Sequence, residues 1–557
     1  MNYRVNYSHE LINSKHYNFN PYGADQRGSA YKTNSERHAY TLDNIFTYRN
    51  TFGKNEVNGT FVYGVEETNY ESTNASSSIF TNMALGYNKL EAGQADQQTV
   101  DSDAWKETSI YQMLRLGYTY GNKYLVTGTF RRDGFSGFGP DNKYSLFPSI
   151  ALGWRITEEP FFIVDRKIVN DLKIRLSYGL NGNRTVERYQ TLAQMNSSFA
   201  NGYLYGDGGS AEIGQYVSSL PNTDLKWETT GSFNAGVDFS LINNRLFGSI
   251  DFYTSNTKDL LYNINIPRIN GFASIASNIG QMKNSGQEFT LTGIPVDNKD
   301  FKWDITFNFS RNRNKVAKIL GIDADGDGKE DDLISSKIFI GHPYGVAYDF
   351  NIIGMWQLED YRKGIIPGGF TYGSYKVEDI NGDGNYTASE DRKILGYTSP
   401  SYRFSIMNSL SWRNWNLKFF INSIQGGKNY YLGQPGSSLP NPDNIYTWNI
   451  FDFDYWTPEN PNARYRQTGH YTVALGENFS PYVQRSFIRL QDVSLTYNFP
   501  KSILDKIKFT NISVFVSGKN LITISDWDGW DPETGAGLDM GAYPLLKSYS
   551  VGVNIDF

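Results

Sequence analysis

The sequence predicts an all-β protein, about sixteen strands that form part of a transmembrane antiparallel β-barrel, with short turns at one end and long loops at the other. Three observations predict it. The first is strict alternation. In the last stretch, Tyr549, Val551, Val553, Ile555 and Phe557 share one face, while Ser548, Ser550, Gly552, Asn554 and Asp556 share the other. An apolar face outward and a polar face inward suits a barrel whose outer solvent is lipid. The second is that short and long connections alternate along the whole chain, as they do where turns face the periplasm and loops face outside. The third is composition: among 557 residues, Tyr 40, Phe 35 and Trp 11 make aromatics 15%, yet apolar runs are short. Pro160-Phe-Phe-Ile-Val164 is typical of the longest, far below the roughly 20 residues a membrane helix needs. A barrel escapes that test because alternation halves the local hydrophobicity.

Taken in order, strands are expected at 1–12, 37–50, 55–66, 106–120, 123–131, 144–156, 170–179, 226–241, 245–256, 284–295, 301–312, 400–412, 415–425, 485–499, 509–521 and 547–557. Ile174, Leu176 and Tyr178 oppose Lys173, Arg175 and Ser177; Trp303, Ile305, Phe307 and Phe309 oppose Asp304, Thr306, Asn308 and Ser310; Phe233, Ala235, Val237 and Phe239 oppose Asn234, Gly236, Asp238 and Ser240. In 485–499 the apolar phase slips, from Ile488 and Leu490 to Val493, Leu495 and Tyr497, which predicts a β-bulge. Gly121-Asn122, Asn243-Asn244 and Arg413-Asn414 read as tight hairpin turns. The segments 67–105, 180–225, 258–283, 313–399, 426–484 and 522–546, rich in Gly, Ser, Asn and Asp, read as long outer loops. Tyr120, Tyr124, Trp154, Trp412 and Trp415, near strand ends, suit a membrane interface.

Composition also excludes. Net charge is −6, so nothing points to nucleic acid. There is no cysteine, hence no disulfide framework or thiol chemistry, and His9, His16, His38, His342 and His470 are scattered. No zinc-protease, nucleophile-elbow, phosphate-loop or dinucleotide motif is present, and Glu158-Glu159 reads as a turn before Pro160, so no enzyme is expected. Met1 to Tyr7 reads at once as strand, with no basic and apolar leader before it. An upstream portion is therefore expected to be missing from this chain.

Several stretches resemble the SusC/RagA family of TonB-dependent outer-membrane transporters. They are Asp171-Leu-Lys-Ile-Arg-Leu-Ser-Tyr-Gly-Leu-Asn-Gly-Asn183, Pro221-Asn-Thr-Asp-Leu-Lys-Trp-Glu-Thr-Thr230 running on to Asn234-Ala-Gly-Val-Asp-Phe239, Asp251-Phe-Tyr-Thr-Ser-Asn-Thr-Lys-Asp-Leu-Leu261, and Asn278-Ile-Gly-Gln-Met-Lys-Asn-Ser-Gly-Gln-Glu288. Tyr455-Trp-Thr-Pro-Glu-Asn-Pro-Asn-Ala463, Phe487-Ile-Arg-Leu-Gln-Asp-Val493 and the segment from Val516-Ser-Gly-Lys-Asn-Leu521 to Phe557 follow in the expected order. The resemblance implies a barrel of about 22 strands around a plug. This chain would be its C-terminal part, without plug, TonB box or signal peptide. It implies import of oligosaccharides or peptides across the outer membrane of a Gram-negative bacterium, energised by TonB through the missing plug, with a SusD-like surface lipoprotein as lid. Two rivals stand beside it: a passive or structural barrel in a larger envelope assembly, and a soluble β-rich adhesin.

Two loops carry metal-like patterns. Asp379-Ile-Asn-Gly-Asp-Gly-Asn-Tyr-Thr-Ala-Ser-Glu390 fits a calcium loop, with Asp379, Asn381, Asp383, Asn385 and Glu390 as oxygen ligands and Gly384 at the sharp turn. A structural Ca²⁺ is the expectation there. Asp323, Asp325 and Asp327 form a weaker second candidate, because Ile334 stands at its twelfth position and cannot ligate. The alternative reading of the first loop is an Asp-Gly-rich turn without metal. Among loop aromatics, Trp356, Phe451, Phe453, Trp527 and Trp530 are candidates for ligand or lid contacts, since aromatic faces stack on sugar rings or hold peptide side chains. Tyr455 and Trp456 are expected to be structural.

Overall fold

The computed structural model describes all residues except 22–27, 83, 205–210, 267–268, 270, 325, 427–430, 433–453, 468–474, 476–481, 528 and 536–542. Its strands are β1 (Asn2–Asn20), β2 (Ser29–Phe52), β3 (Asn55–Ser78), β4 (Thr99–Tyr120), β5 (Tyr124–Phe135), β6 (Tyr144–Arg155), β7 (Val169–Asn183), β8 (Met195–Leu204), β9 (Ala211–Val217), β10 (Glu228–Leu241), β11 (Leu246–Lys258), β12 (Leu261–Asn265), β13 (Ser274–Asn278), β14 (Gln281–Asp297), β15 (Phe301–Lys318), β16 (Val346–Phe350), β17 (Ile352–Met355), β18 (Tyr375–Val377), β19 (Arg392–Tyr397), β20 (Pro400–Trp412), β21 (Trp415–Gly426), β22 (Tyr431–Leu432), β23 (Tyr482–Val483), β24 (Phe487–Asn498), β25 (Asn511–Ser525) and β26 (Ser548–Asp556). Two short helices are α1 (Leu358–Arg362) and α2 (Lys501–Ile507).

Sixteen strands form one sheet in the order β1-β2-β3-β4-β5-β6-β7-β10-β11-β14-β15-β20-β21-β24-β25-β26, and the other ten pair two by two. Each of the sixteen lies on one expected segment. The expected barrel is corrected, however: β1 and β26 are the two ends of the sheet, and it does not close on itself. The physical reason lies in what alternation encodes. Period two specifies which face each side chain takes and which neighbours form hairpins. Closure requires a shear and a pairing of last strand with first, which no local pattern specifies.

Local details follow from the residues. Gly121 and Asn122 both take positive φ (56° and 59°), the turn type whose twist matches a hairpin, and Lys123 N–H closes it on the Tyr120 carbonyl at 2.9 Å. Against β21 the register of β24 slips between Leu490 and Asp492, leaving Gln491 as the extra residue where the phase slip predicted one, while against β25 the two residues Asn520 and Leu521 oppose Gln491. β1 to β4 run well beyond their expected ends. There, Ser, Thr, Asn and Glu occupy both faces, so pairing continues after the apolar signal has faded.

The chain divides into two compact units by contact: Met1–Glu159, Arg175–Asn234 and Ser255–Gln281 in the first; Pro160–Ile174, Ala235–Thr254 and Met282–Phe557 in the second. In the first unit, Tyr3, Phe46, Phe61, Leu114 and Phe130 stand in register across five strands, each 43–53% exposed. The opposite face carries Asp43, Gly64, Tyr111, Asp133 and Ser145 in register. Its core is a loop cluster of Phe135, Phe138, Phe147, Leu225 and Trp227. Trp227 donates from its indole to the Lys143 carbonyl (3.2 Å), and Asn278 ties both backbone groups of Lys226 (2.7 and 2.8 Å). In the second unit, Trp303, Leu410, Leu417, Leu495, Val516 and Val551 make a second apolar row across six strands. Its loops pack around Phe350, Tyr375, Val377 and Leu475, and around Val316, Ile319 and Ile338.

Candidate functional site

The loops of the second unit build a cavity of about 590 Å³ from four short strands and the 454–467 segment. β16 pairs with β19 and β17 with β18, which places Phe350, Ile352, Met355 and Tyr375 on its wall. α1 begins with a reciprocal cap: the Gln357 backbone N–H donates to Asp360 (2.9 Å). The Gln357 side chain then accepts from the Trp456 indole (3.0 Å) and donates to the Pro461 carbonyl (3.1 Å), fixing the 456–464 segment against β17. Asn462, Ala463 and Arg464 complete the wall. Burial pushes the Tyr375 hydroxyl up to about 12, so it stays protonated and can donate. Lys393, and after it Asn351, hold the Glu378 carboxyl below its ordinary value. The cavity thus offers an aromatic and aliphatic wall with a few fixed donors, the make-up of a small-ligand site.

The expected calcium loop is corrected. Among the described residues no group of three or more His, Cys, Asp or Glu stands together to hold a metal ion. The carboxylates are used by the backbone instead. Asp379 accepts from the N–H groups of Gly382 (2.7 Å) and Gly384 (2.9 Å), Asn381 from Asp383 (3.0 Å), and Asp383 from Asn385 (2.7 Å). That last bond is the main reason the Asp383 carboxyl lies below its ordinary value. Glu390 turns to the Thr387 hydroxyl (3.1 Å), and Asn385 contributes its own N–H rather than a ligand. The buried acid is Asp391, fully enclosed, which takes the N–H groups of Ile380 (2.9 Å) and Thr387 (2.8 Å). The second candidate behaves the same way: Asp323 accepts from Gly326 (2.8 Å) and Gly328 (3.0 Å), and Asp327 from Lys329 (2.8 Å). Asp325 lies outside the described residues.

Trp356 and Trp527 are buried, 5% and 7% exposed. Trp356 packs edge-on to Phe370 under the Lys376 ammonium, 4.5 Å above its ring, and Trp527 packs on Val483. Trp530 is half-buried, while Phe451 and Phe453 lie outside the described residues. Trp456 is enclosed, as expected of a structural residue.

One cluster escaped the sequence reading. Arg489 of β24, 2% exposed, binds Asp531 (2.6 Å), Glu533 (2.7 Å) and the Thr523 hydroxyl (3.1 Å), with its guanidinium 4.6 Å from the Phe487 ring centroid. Burial alone would raise the Asp531 carboxyl; Arg489 and the N–H groups of Glu533 and Thr534 outweigh it and hold it below its ordinary value. The available signal was an arginine inside an apolar strand, with the acids Asp531 and Glu533 just past the end of the following strand.

These features describe a large antiparallel sheet with an apolar row in register in each unit and packed loop clusters at its long connections. The chain belongs to the TonB-dependent receptor family of the SusC/RagA kind: the family model "TonB dependent receptor-like, beta-barrel" matches residues 1–521. It is 32% identical over 538 residues to the TonB-dependent receptor P3 of Formosa agariphila, covering 92% of this chain and 52% of that one. It is 31% identical over 476 residues to the TonB-dependent receptor SusC of Bacteroides thetaiotaomicron, covering 82% and 44%. A solved structure of the RagAB peptide transporter superposes with a TM-score of 0.80 at 22% identity, over 100% of this chain and 60% of that one. The chain thus spans about half the length of the relatives it matches. The family is a class of outer-membrane transporters of Gram-negative bacteria, not of enzymes.

Proposed function

We propose that this chain is the membrane-embedded and loop-bearing part of a TonB-dependent importer of peptides or oligosaccharides, working with a SusD-like surface lipoprotein. The observation that carries the reading is the pair of apolar rows, five and six strands wide, lying in register, the first exposed along its whole width and the second exposed at Leu495, Val516 and Val551 and half-buried at Trp303, Leu410 and Leu417. Contiguous exposed apolar surface of that extent needs a covering solvent or partner, and lipid supplies it for every row at once. Membership of the receptor family and the likeness in fold to the RagAB peptide transporter support the import role. On this reading the loop cavity beside Arg464 and Tyr375 meets substrate or the lipoprotein. Trp356 and Trp527 act by holding loops in place, and Trp530 is the candidate left for ligand or lid contact.

The test is uptake by cells carrying the full-length receptor, with labelled peptides and labelled oligosaccharides. Uptake that disappears on deletion of the gene, and equally on collapse of the proton-motive force, is expected. Uptake that depends on the gene but ignores the proton-motive force favours the passive-channel reading. No change on deletion overturns both.

A further inference from the structure

The short-turn end of the second unit carries an exposed apolar tip. Residues 160–168, which lead into β7, include Pro160-Phe-Phe-Ile-Val164. Phe161, Val164 and Ile168 are exposed there, and Ile163 is 92% exposed. Ile242, in the neighbouring β10–β11 turn, is exposed too. The backbone beneath these side chains is tied down. The Asn170 amide donates to the Arg166 carbonyl (2.7 Å), and its oxygen accepts from the Asn244 N–H (2.8 Å). Ile242 N–H donates to the Ile168 carbonyl (2.8 Å), and Asn243 N–H to the Lys167 carbonyl (2.9 Å). The Asp165 carboxylate takes the Lys167 N–H (2.8 Å), and its carbonyl takes those of Ile168 and Val169 (2.8 and 3.0 Å). The fold therefore holds large apolar side chains outside it, and such a patch marks a contact with something else.

The same end is basic. Lys167 and Arg245 are exposed and form no ion pair among the described residues. Arg166 folds back, 5.9 Å from the Phe162 ring centroid, and donates to the Asn170 carbonyl (3.3 Å). Over this unit's turns at 160–168, 242–245, 298–300, 413–414 and 499–510, eight lysines and arginines stand against three aspartates, although the whole chain is −6. In the last of these turns α2 repeats the composition. It buries Leu504 and exposes Ile503 and Ile507 beside Lys501, Lys506 and Lys508.

We propose that the 160–168 tip, together with Ile242, is an interfacial anchor that inserts into the periplasmic leaflet of the outer membrane and binds an anionic phospholipid through Lys167 and Arg245. This rests on the membrane-embedded part of the reading above and adds a lipid site that lies outside the strands. Three arguments favour it. Ile168 shares its alternation phase with Leu172 and Ile174, so the apolar side of β7 runs without a break into the tip. Short turns of an outer-membrane wall lie at the periplasmic headgroups, and aromatic and aliphatic side chains beside lysine and arginine are what that layer accommodates. A neutral lipid or an apolar groove on a protein would cover the tip and leave Lys167 and Arg245 unpaired, whereas an anionic headgroup satisfies both features at once.

The test uses the full-length receptor with Ile163→Cys as its one cysteine, carrying an NBD fluorophore, in vesicles of phosphatidylethanolamine and phosphatidylglycerol. The same label at Val553→Cys reports the sheet wall. The 163 label is expected to emit to the blue of its value in water and to be quenched by doxyl-phosphatidylglycerol in preference to doxyl-phosphatidylcholine. Lys167→Gln and Arg245→Gln, which keep every backbone hydrogen bond named above, should each cut that preference about five-fold, and salt should shrink it in the parent. A 163 label open to iodide and untouched by doxyl lipid, with the 553 label quenched, overturns the anchor and leaves the membrane reading standing. Neither label quenched overturns both. Equal quenching of the 163 label by the two lipids, or a preference that both substitutions leave unchanged, overturns the anionic-lipid assignment. Shielding of the 163 label in whole cells but not in vesicles overturns it as well, and gives the tip to a periplasmic protein.

Discussion

At Gly64 a missing side chain is put to use. Tyr111 crosses β3 over this glycine to donate to Asp43, and a Cβ there would stand 2.2 Å from the ring's Cζ. Gly182 does the same for Phe147, whose Cζ would lie 2.0 Å from an added Cβ. Gly64→Ala is therefore expected to push Tyr111 off Asp43 and cost about 1–3 kcal/mol, the usual penalty of overpacking. Thermal unfolding followed by tryptophan fluorescence checks it, and an unchanged melting temperature would mean the ring has a free alternative. Arg489 is a residue of the opposite kind, a buried charge that survives through its partners. Asp531→Ala should cost about 3–5 kcal/mol because it strands most of that charge, while Arg489→Met, which removes the charge itself, should cost less. The sign of the pH dependence follows from the lowered Asp531 carboxyl. Its contribution is fully present above the unfolded value of about 3.9 and is lost as pH falls through the lower folded value. Hydrogen exchange across 526–535 should stay slow at pH 5 and quicken only on stronger acidification. Release already at pH 6 would contradict the ion pair's role.

Among the elements, the 379–391 loop shows what a motif does and does not encode. Asp-x-Asn-x-Asp-Gly spacing brings carboxylates back toward one point, which suits a cation. The same spacing lets each acid bind the N–H two to five residues on, and here that use prevails. Asp391, one position beyond the motif, is the residue that closes the loop, so Asp391→Ala should raise proteolytic cleavage between 379 and 391 while Glu390→Ala does not. Limited proteolysis measures this, and a chelator should change neither rate; equal cleavage of the two variants would refute the assignment. The large strands were legible because each holds several alternations with an apolar face. The ten short ones, such as β17 (Ile352–Met355) and β18 (Tyr375–Val377), were not. Those two carry four and three residues, and α1 lies between them in the chain. The loop cavity depends on those pairings, so neither Gln357 nor Arg464 stood out in the sequence as a wall residue.

Across the whole molecule, sixteen strands follow one another in chain order with the same alternation throughout. Strand order was legible because short turns tie neighbours together; closure was not, because it depends on shear rather than on any residue pattern. Face assignment was legible to the last strand. Val553 stands opposite Val514 and is 56% exposed, while Asn554 turns the other way and donates to the buried Ser513 hydroxyl (3.3 Å). If the apolar rows meet lipid, the two positions differ by solvent and not by structure. A charge facing hydrocarbon at mid-depth costs about 2–4 kcal/mol for arginine, and on the opposite face most of that cost disappears. Val553→Arg in the full-length receptor should therefore lower its steady-state amount in outer-membrane fractions, while Asn554→Arg should lose only one long, part-buried hydrogen bond and accumulate nearly as the parent does. Quantitative immunoblotting of the two variants side by side decides it. Equal amounts would mean that the row through Val514 and Val553 is covered by something other than lipid, because a protein partner able to pair or solvate the new guanidinium would remove the difference.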